Sequence, residues 1–333
     1  MGTYGTIRNK LADAQMRRQC LYAADSRECA YLNRMTKDGD VLRPYPNMYV
    51  ECQYWGSLNP VEKMLHVMRT LAIRHPNMVF AGISAACAWG LEHSFHLHSN
   101  DDRIMLASSG GTPRNGYCER IRRFYVPQHE IERACEISGV RVTTIERTLF
   151  DCGRLYEGRS ALSFYDSALR QGMISREDLI AYCDEPHRAR NQHQSRALAR
   201  FANGLSENGG ESFCYATMAE EGMMLPEQQA EFSDVHNAGQ LYRVDYLWKL
   251  PDGRLIVGEL DGQQKYVDAS MTNGRSVEGV VVRERNRQEA LKAGGVTQIV
   301  RWFFADAVRR SPMIDKLTAA GVPCGTVSAP WIR

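Results

Sequence analysis

The stretch YRVDYLWKLPDGRLIVGELD (residues 242–261) reads as two strands joined by a hairpin turn. Both YRVDYLWKL and RLIVGEL are rich in β-branched and aromatic residues, and Pro251, Asp252 and Gly253 between them supply turn chemistry. Asp245 falls in mid-strand among apolar residues, an expensive place for a charge without a partner. Glu259 closes a strand that otherwise reads Leu-Ile-Val-Gly. Asp261 stands two residues on, so alternation directs it to the same side as Glu259 if the strand continues. Carboxylates gathered this closely repel one another unless a cation intervenes. Mg²⁺ (or Mn²⁺) suits them, since a hard cation binds through one or two carboxylates together with phosphate and water. The other solution open to Asp245 and Glu259 is a buried ion pair with Arg243 or Arg254.

Outward from the hairpin the pattern stays regular. GGESFCYATMAEEGM (209–223) reads as a helix with Glu211 at its start, after a 206–210 stretch with the composition of a linker. ERNRQEALKAGG (284–295) reads as a helix ending at paired glycines, and TQIVRWF (297–303) as another apolar strand. Helix, hairpin, helix, strand describes an α/β core. Gly262 after the second acid reads as a backbone turn, and Arg285 with Arg287 as either an exposed helix face or a phosphate contact.

These residues carry a resemblance. RVDYLW, VGELDGQQKY and VVRERNRQEALKAGGVTQIVRWFFADAV resemble the PD-(D/E)XK nucleases, in particular the endonuclease-like domains related to very-short-patch repair enzymes. The resemblance implies a restriction-endonuclease-like core at 206–333 that hydrolyses DNA phosphodiesters with Mg²⁺. It implies that Asp245 and Glu259 hold the metal with Asp261 and Glu211 in support. Arg285 and Arg287 match the basic start of the following helix and are implied DNA contacts. That family carries a lysine two residues after the second acid, and here the place is taken by Asp261. Lys265, or Gln263, would have to reach back to the phosphate as the remaining catalytic group.

The first 55 residues follow another plan. LADAQMRRQCLYAA (11–24) reads as a helix. SRECAYLNRMTKDG (26–39) reads as a second helix, with Ser26 as cap and Gly39 suited to the left-handed position that ends it. VLRPYPNMYVEC (41–52) reads as two short strands about a turn. Helix, turn, helix and hairpin is the plan of a winged helix-turn-helix, in which the second helix enters the major groove of duplex DNA. Arg27, Asn33, Arg34 and Lys37 would then reach the groove or phosphates, and Arg43 would sit on the wing. A small helical cap would show the same pattern.

Between these blocks, 56–205 reads as a mixed α+β domain. NPVEKMLHVMRTLAIRHP (59–76) is helical with Pro60 at its first position, and Ser84 is placed to cap a buried Ala-rich helix. RIMLASS and RIRRFYVP read as strands, while VRVTTIERTLFDCGRLY (140–156) and ARNQHQSRALARFANGL (189–205) read as helices. AGISAACAWGLEH, VTTIERTLFDCGR and ALSFYDSALRQGMISREDL are similar to the AbiEi family of bacterial antitoxins and transcriptional regulators, over about residues 12–179. That similarity implies a winged helix, a role in a toxin–antitoxin system or phage defence, and a toxin or other protein as partner. It leaves open a regulator that binds DNA and keeps an inert nuclease fold.

Composition bounds these readings. A chain of 333 residues, 44% hydrophobic, is long enough for two or three globular domains. Its formal net charge of +2 does not announce a nucleic-acid binder, but Arg17 with Arg18, residues 120–123 and residues 283–287 cluster positive charge. No apolar run reaches the length of a membrane span and the first residues lack a signal-like apolar core, so a cytoplasmic protein is expected. The ten cysteines are scattered and form no CxxC. The spacing of Cys87, His93, His96 and His98 suits neither a helix nor a zinc finger, and reduced, buried thiols are the simpler expectation.

Overall fold

A computed structural model describes residues 3–110, 119–187, 189–234, 237, 239–261, 277–326 and 328–332. The chain is mixed α/β, and among the described residues no helix is long and apolar enough to cross a membrane. It divides into two compact units, Met1–Leu155 and Tyr156–Arg333.

The first unit opens with α1 (Thr3–Met16), β1 (Leu21–Tyr22), α2 (Ser26–Asp38), β2 (Val41–Tyr45) and β3 (Met48–Glu51). The first helix ends sooner than its sequence suggests, because Arg18 adopts φ 54° and Leu21–Tyr22 leave to pair with β3. The three strands form an antiparallel sheet in the order β1-β3-β2. Asp25, not Ser26, caps α2: its Oδ1 accepts the Glu28 N–H at 2.8 Å. The buried Glu28 carboxylate in turn accepts from Ala24 N–H at 2.7 Å and Lys10 Nζ at 2.9 Å. Leu32 and Met35 pack on Ile7, Leu11, Val41 and Tyr49, and Gly39 closes the helix at φ 84° as its sequence leads one to expect.

The unit continues through α3 (Cys52–Ser57), α4 (Pro60–Arg74), α5 (Gly82–Trp89), α6 (His96–Asn100), β4 (Ile104–Ser108), β5 (Ile121–Tyr125), α7 (Gln128–Glu132), β6 (Cys135–Ile137), β7 (Val140–Val142) and α8 (Ile145–Leu155). Ser84 lies inside α5 rather than at its start, where its hydroxyl accepts the Met105 N–H at 2.9 Å. Residues 140–142 form a strand rather than the beginning of a helix, since Phe80 bridges both Leu106 and Val142. Within α8 the fully buried Asp151 takes Arg147 in a bidentate pair at 2.8 and 3.1 Å, and Arg154 at 2.8 Å.

The second unit comprises α9 (Gly158–Arg170), α10 (Arg176–Asp184), α11 (Gln192–Phe201), α12 (Gly209–Glu220), β8 (Glu227–Ser233), β9 (Leu241–Lys249), β10 (Leu255–Asp261), α13 (Val277–Ala293), β11 (Val296–Phe303), α14 (Phe304–Arg309) and α15 (Ser311–Ala319). Asp166 on α9 ties the helical layer together. Its carboxylate accepts the N–H groups of Asn203 and Gly204, both at 3.0 Å, and the Ser212 hydroxyl at 2.8 Å. Burial pushes the pKa of this carboxyl up, against the pull of those donors. The stretch at 206–210 is built in rather than a free linker: Ser206 is buried and Asn208 caps α12.

The sheet runs β11-β10-β9-β8. The β9–β10 hairpin is antiparallel, and β11 returns parallel to β10 after α13. Edge strand β8 is not visible in the sequence pattern because Glu227, Gln228 and Gln229 make it polar, a common feature of edges. On one face Tyr246, Trp248, Ile256 and Trp302 pack against α12, α14 and α15; Val257 and Leu247 pack against Leu291 of α13. Gly258 lies between two indoles: a Cβ there would come within 2.7 Å of both Trp248 and Trp302.

Gly258→Ala should therefore destabilise this unit by about 1–3 kcal/mol, the usual cost of overpacking. Denaturant unfolding followed by tryptophan fluorescence measures it, and a loss below about 0.5 kcal/mol would mean the indoles are free to move apart.

Candidate functional site

The acids singled out in the sequence sit on β9, β10 and the start of α12. Pairing between β9 and β10 extends to Gly258 opposite Tyr246. Just beyond, the Asp245 Oδ2 accepts the Leu260 N–H at 2.8 Å. A side chain thus satisfies a backbone donor where the strands stop pairing. Asp245 is half-buried and Glu259 is 8% exposed.

Neither Arg243 nor Arg254 is the partner of these acids. Arg243 pairs with Glu207, and Arg254 with Asp252 at 2.7 Å. Glu259 instead takes two other guanidiniums: Arg287 of α13 on Oε1, and Arg301 of β11 on Oε2 at 3.1 Å. The parallel register puts Arg301 directly opposite Glu259. Arg301 also holds Glu284 at 2.9 Å, and its pKa is raised by that hydrogen bond and by the charges of Glu259, Glu284 and Asp261. Arg287, Glu259, Arg301 and Glu284 thus form a relay of alternating charge, with Asp261 near enough to act on Arg301.

Glu211 has another task. Asn208 caps α12 by accepting the N–H groups of Gly210 and Glu211, at 2.9 and 3.0 Å. The buried Glu211 carboxylate reaches back to the Glu207 N–H at 2.7 Å, the Asn208 amide at 2.6 Å and the Gln229 amide at 2.8 Å. This reciprocal arrangement, with a carboxylate at a helix N-terminus, is a structural motif in its own right. Among the described residues, Asp245, Glu259, Asp261 and Glu211 supply no group of three with ligand atoms within 4.8 Å of one another. Arg285 is exposed on α13 and pairs with Glu289 at 3.1 Å. Gln263, Lys265 and Gly262 lie outside the described residues.

Sequence reasoning passed over Arg301 and Glu284. Only the parallel return of β11 reveals them, although the alternation of Ile299, Arg301 and Phe303 was there to be read.

The candidate DNA-contacting residues divide. Arg27, Arg34 and Lys37 are exposed on α2, opposite the buried Glu28, Leu32 and Met35, and Arg43 is exposed on β2. Arg27 and Arg34 are seven residues apart and so lie on one helix face. The Arg34 guanidinium also stands 5.5 Å from the centre of the Tyr31 ring. Asn33 is turned inward: its Oδ1 accepts the Tyr49 hydroxyl at 2.8 Å.

Compared with the known protein families and with curated proteins, the chain matches none.

The bond between Asp245 and Leu260 makes a simple prediction. Asp245→Ala should cost about 1–3 kcal/mol by orphaning the backbone donor, whereas Asp245→Asn keeps an acceptor and should cost less than about 1 kcal/mol. Equal losses in urea unfolding would show that the carboxylate's charge, not its hydrogen bond, is what the strand end needs.

Proposed function

We propose that this chain is a DNA-binding protein whose second unit is a PD-(D/E)XK-type core that hydrolyses DNA phosphodiesters with Mg²⁺. The observation that carries the reading is the placing of Asp245 and Glu259. Two carboxylates emerge on neighbouring strands at the point where β9 and β10 part, flanked by Arg287 and Arg301. In the first unit, α1, α2 and the β2–β3 hairpin follow the order of a winged helix-turn-helix, with Arg27, Arg34, Lys37 and Arg43 on exposed positions. Asn33 drops from the set of base-reading candidates, since its amide oxygen accepts from Tyr49 and its amide nitrogen donates to the Cys29 sulfur.

The donor chemistry supports the metal: hard oxygens from Asp245 and Glu259 suit Mg²⁺ or Mn²⁺ and not a soft cation. When bound, such a cation polarises the phosphate and lowers the pKa of the attacking water. Glu211 supports from behind by fixing the start of α12. Arg287 and Arg301 answer the absence of lysine at Asp261. A guanidinium binds phosphate through two parallel donors, and these two stand beside the acid that the chemistry needs. Incoming phosphate competes with Glu259 for them, so substrate arrival frees the carboxylate as it recruits the cations.

The pairing of both Glu259 oxygens with arginine favours a second reading. There the acid is a structural counter-ion, and the chain is an AbiEi-like regulator or antitoxin with a toxin or other protein as partner. Incubating duplex DNA with Mg²⁺, Mn²⁺ or excess chelator separates the two. The nuclease reading expects metal-dependent cutting that Glu259→Gln abolishes, and that Arg287→Ala slows on the order of 10²–10³-fold, as when one charge contact in the transition state is lost. No cutting by the wild type with either metal overturns it and leaves the regulator.

Both readings require duplex binding through α2. Arg27→Ala with Arg34→Ala should flatten the log–log salt dependence of affinity by about 0.9 for each phosphate contact removed. An unchanged slope in fluorescence anisotropy would assign α2 to packing alone.

A further inference from the structure

The first unit brings together three side chains that the sequence spacing leaves apart. Cys87 lies in the last turn of α5, which Gly90 ends in the left-handed conformation at φ 71°. The turn reverses the chain, buries Leu91 and sets His93 against His98 of α6. The Nε2 atoms of His93 and His98 are 2.8 Å apart, and the Cys87 Sγ is 4.0 Å from the His98 Nε2. All three residues are at most 9% exposed. Among the described residues, this is the group of three His, Cys, Asp or Glu side chains whose ligand atoms lie within 4.8 Å of one another. His96, on the far side of α6, is exposed and bonds Asn100 at 3.1 Å.

We propose that Cys87, His93 and His98 form a binding site for a borderline-soft d¹⁰ cation, Zn²⁺ in the first instance. One sulfur and two imidazole nitrogens match zinc and not the hard cations that carboxylates prefer. The nitrogen geometry is already set for one ligand. The His93 Nδ1 is 2.7 Å from the Leu91 carbonyl, which can only accept, so Nδ1 carries the proton. The lone pair of the neutral ring is then on Nε2, facing the site. A backbone carbonyl fixing the tautomer in this way is the usual outer support of a metal-bound histidine. The His93–His98 contact follows: His98 Nε2–H donates to His93 Nε2.

Distances require little rearrangement. Zn–N of about 2.0–2.1 Å and Zn–S of about 2.3 Å put tetrahedral neighbours about 3.3 Å (N to N) and about 3.5 Å (S to N) apart. Against the 2.8 and 4.0 Å found, the His93–His98 and Cys87–His98 pairs each move by about 0.5 Å, while the ligand atoms of Cys87 and His93 lie within 4.8 Å of each other. On binding, the His98 proton passes from Nε2 to Nδ1 and the Cys87 thiol releases its proton to solvent, so one proton leaves per Zn²⁺. Burial holds both imidazoles neutral, with pKa values lowered to about 4, and keeps the unbound Cys87 a thiol by pushing its pKa up. The fourth position falls to water. A cavity of about 280 Å³, lined by Lys63, Ser99 and Asp102 among others, adjoins the site at His98.

The test uses the full chain after dialysis against chelator. Zn²⁺ is titrated in competition with a chromogenic chelator, and Co²⁺ serves as a spectroscopic probe. The expected result is one tight Zn²⁺ per chain and a thiolate-to-cobalt charge-transfer band. Cys87→Ser and His98→Gln should each weaken binding at least about 100-fold, the upper end of the cost of losing an outer support. Cys152→Ser and His96→Gln should leave it unchanged. Absence of tight Zn²⁺, or equal binding by Cys87→Ser, overturns the site, as does cobalt held without the thiolate band. Should the variants fail to fold, the wild type still decides: Zn²⁺ must raise its melting temperature, and no rise overturns the proposal.

Discussion

The second unit is organised by the close approach of β10 to two indoles. Trp248 and Trp302 come from the strands on either side of β10 and converge over Gly258, where a side chain has no room. Each indole is also anchored by its N–H, Trp248 on the Met224 carbonyl at 2.6 Å and Trp302 on the Cys214 sulfur at 3.3 Å. Tyr246 stacks on Trp302 at 5.6 Å between centroids. With one face of the strand occupied in this way, alternation sends Glu259 to the other. There it meets Arg287 and Arg301. The position of the acid is thus a consequence of aromatic packing behind it, and the cations are those that α13 and the parallel return of β11 carry to that face.

An ion pair in this setting carries a desolvation cost. Glu259 is 8% exposed, so its desolvation must be met by partners. Two guanidiniums take its two oxygens, and Arg301 is balanced in turn by Glu284. A lysine in the same place would offer a point charge on a flexible stem; the guanidinium fork can engage a carboxylate and a phosphate alike. On the proposed nuclease reading, the same relay is a structural pair at rest and a phosphate-binding surface once DNA arrives.

Much of the hairpin region was legible because its signals are local. The turn at 251–253, the strands around it and the helix before it follow from residue type and periodicity. The partners of Glu259 were not, since they depend on which strand returns beside β10 and in what direction. Arg243 and Arg254 are nearer in sequence, yet they point to Glu207 and Asp252. Glu211 shows the opposite limit. An acid at the start of a helix can ligate a metal or cap the helix, and only its three short donor contacts reveal the second use. Strand β8 was hidden by its polarity, and β7 by running directly into the helix after it.

The Cys87, His93 and His98 group was illegible for a related reason: a ligand spacing predicts a site only when one local element carries all the ligands. Here the reversal at Gly90 and the short helix α6 do the gathering, and neither announces a metal. The two candidate centres also differ in kind. Oxygen donors at Asp245 and Glu259 discriminate in favour of Mg²⁺ and Mn²⁺, while sulfur and imidazole at Cys87 discriminate against them. If both centres hold their proposed metals, a chelator strips both, and loss of an activity on chelation would not identify the centre. Restoration by Mg²⁺ alone would, because Mg²⁺ dehydrates reluctantly and has no preference for the ligands around Cys87.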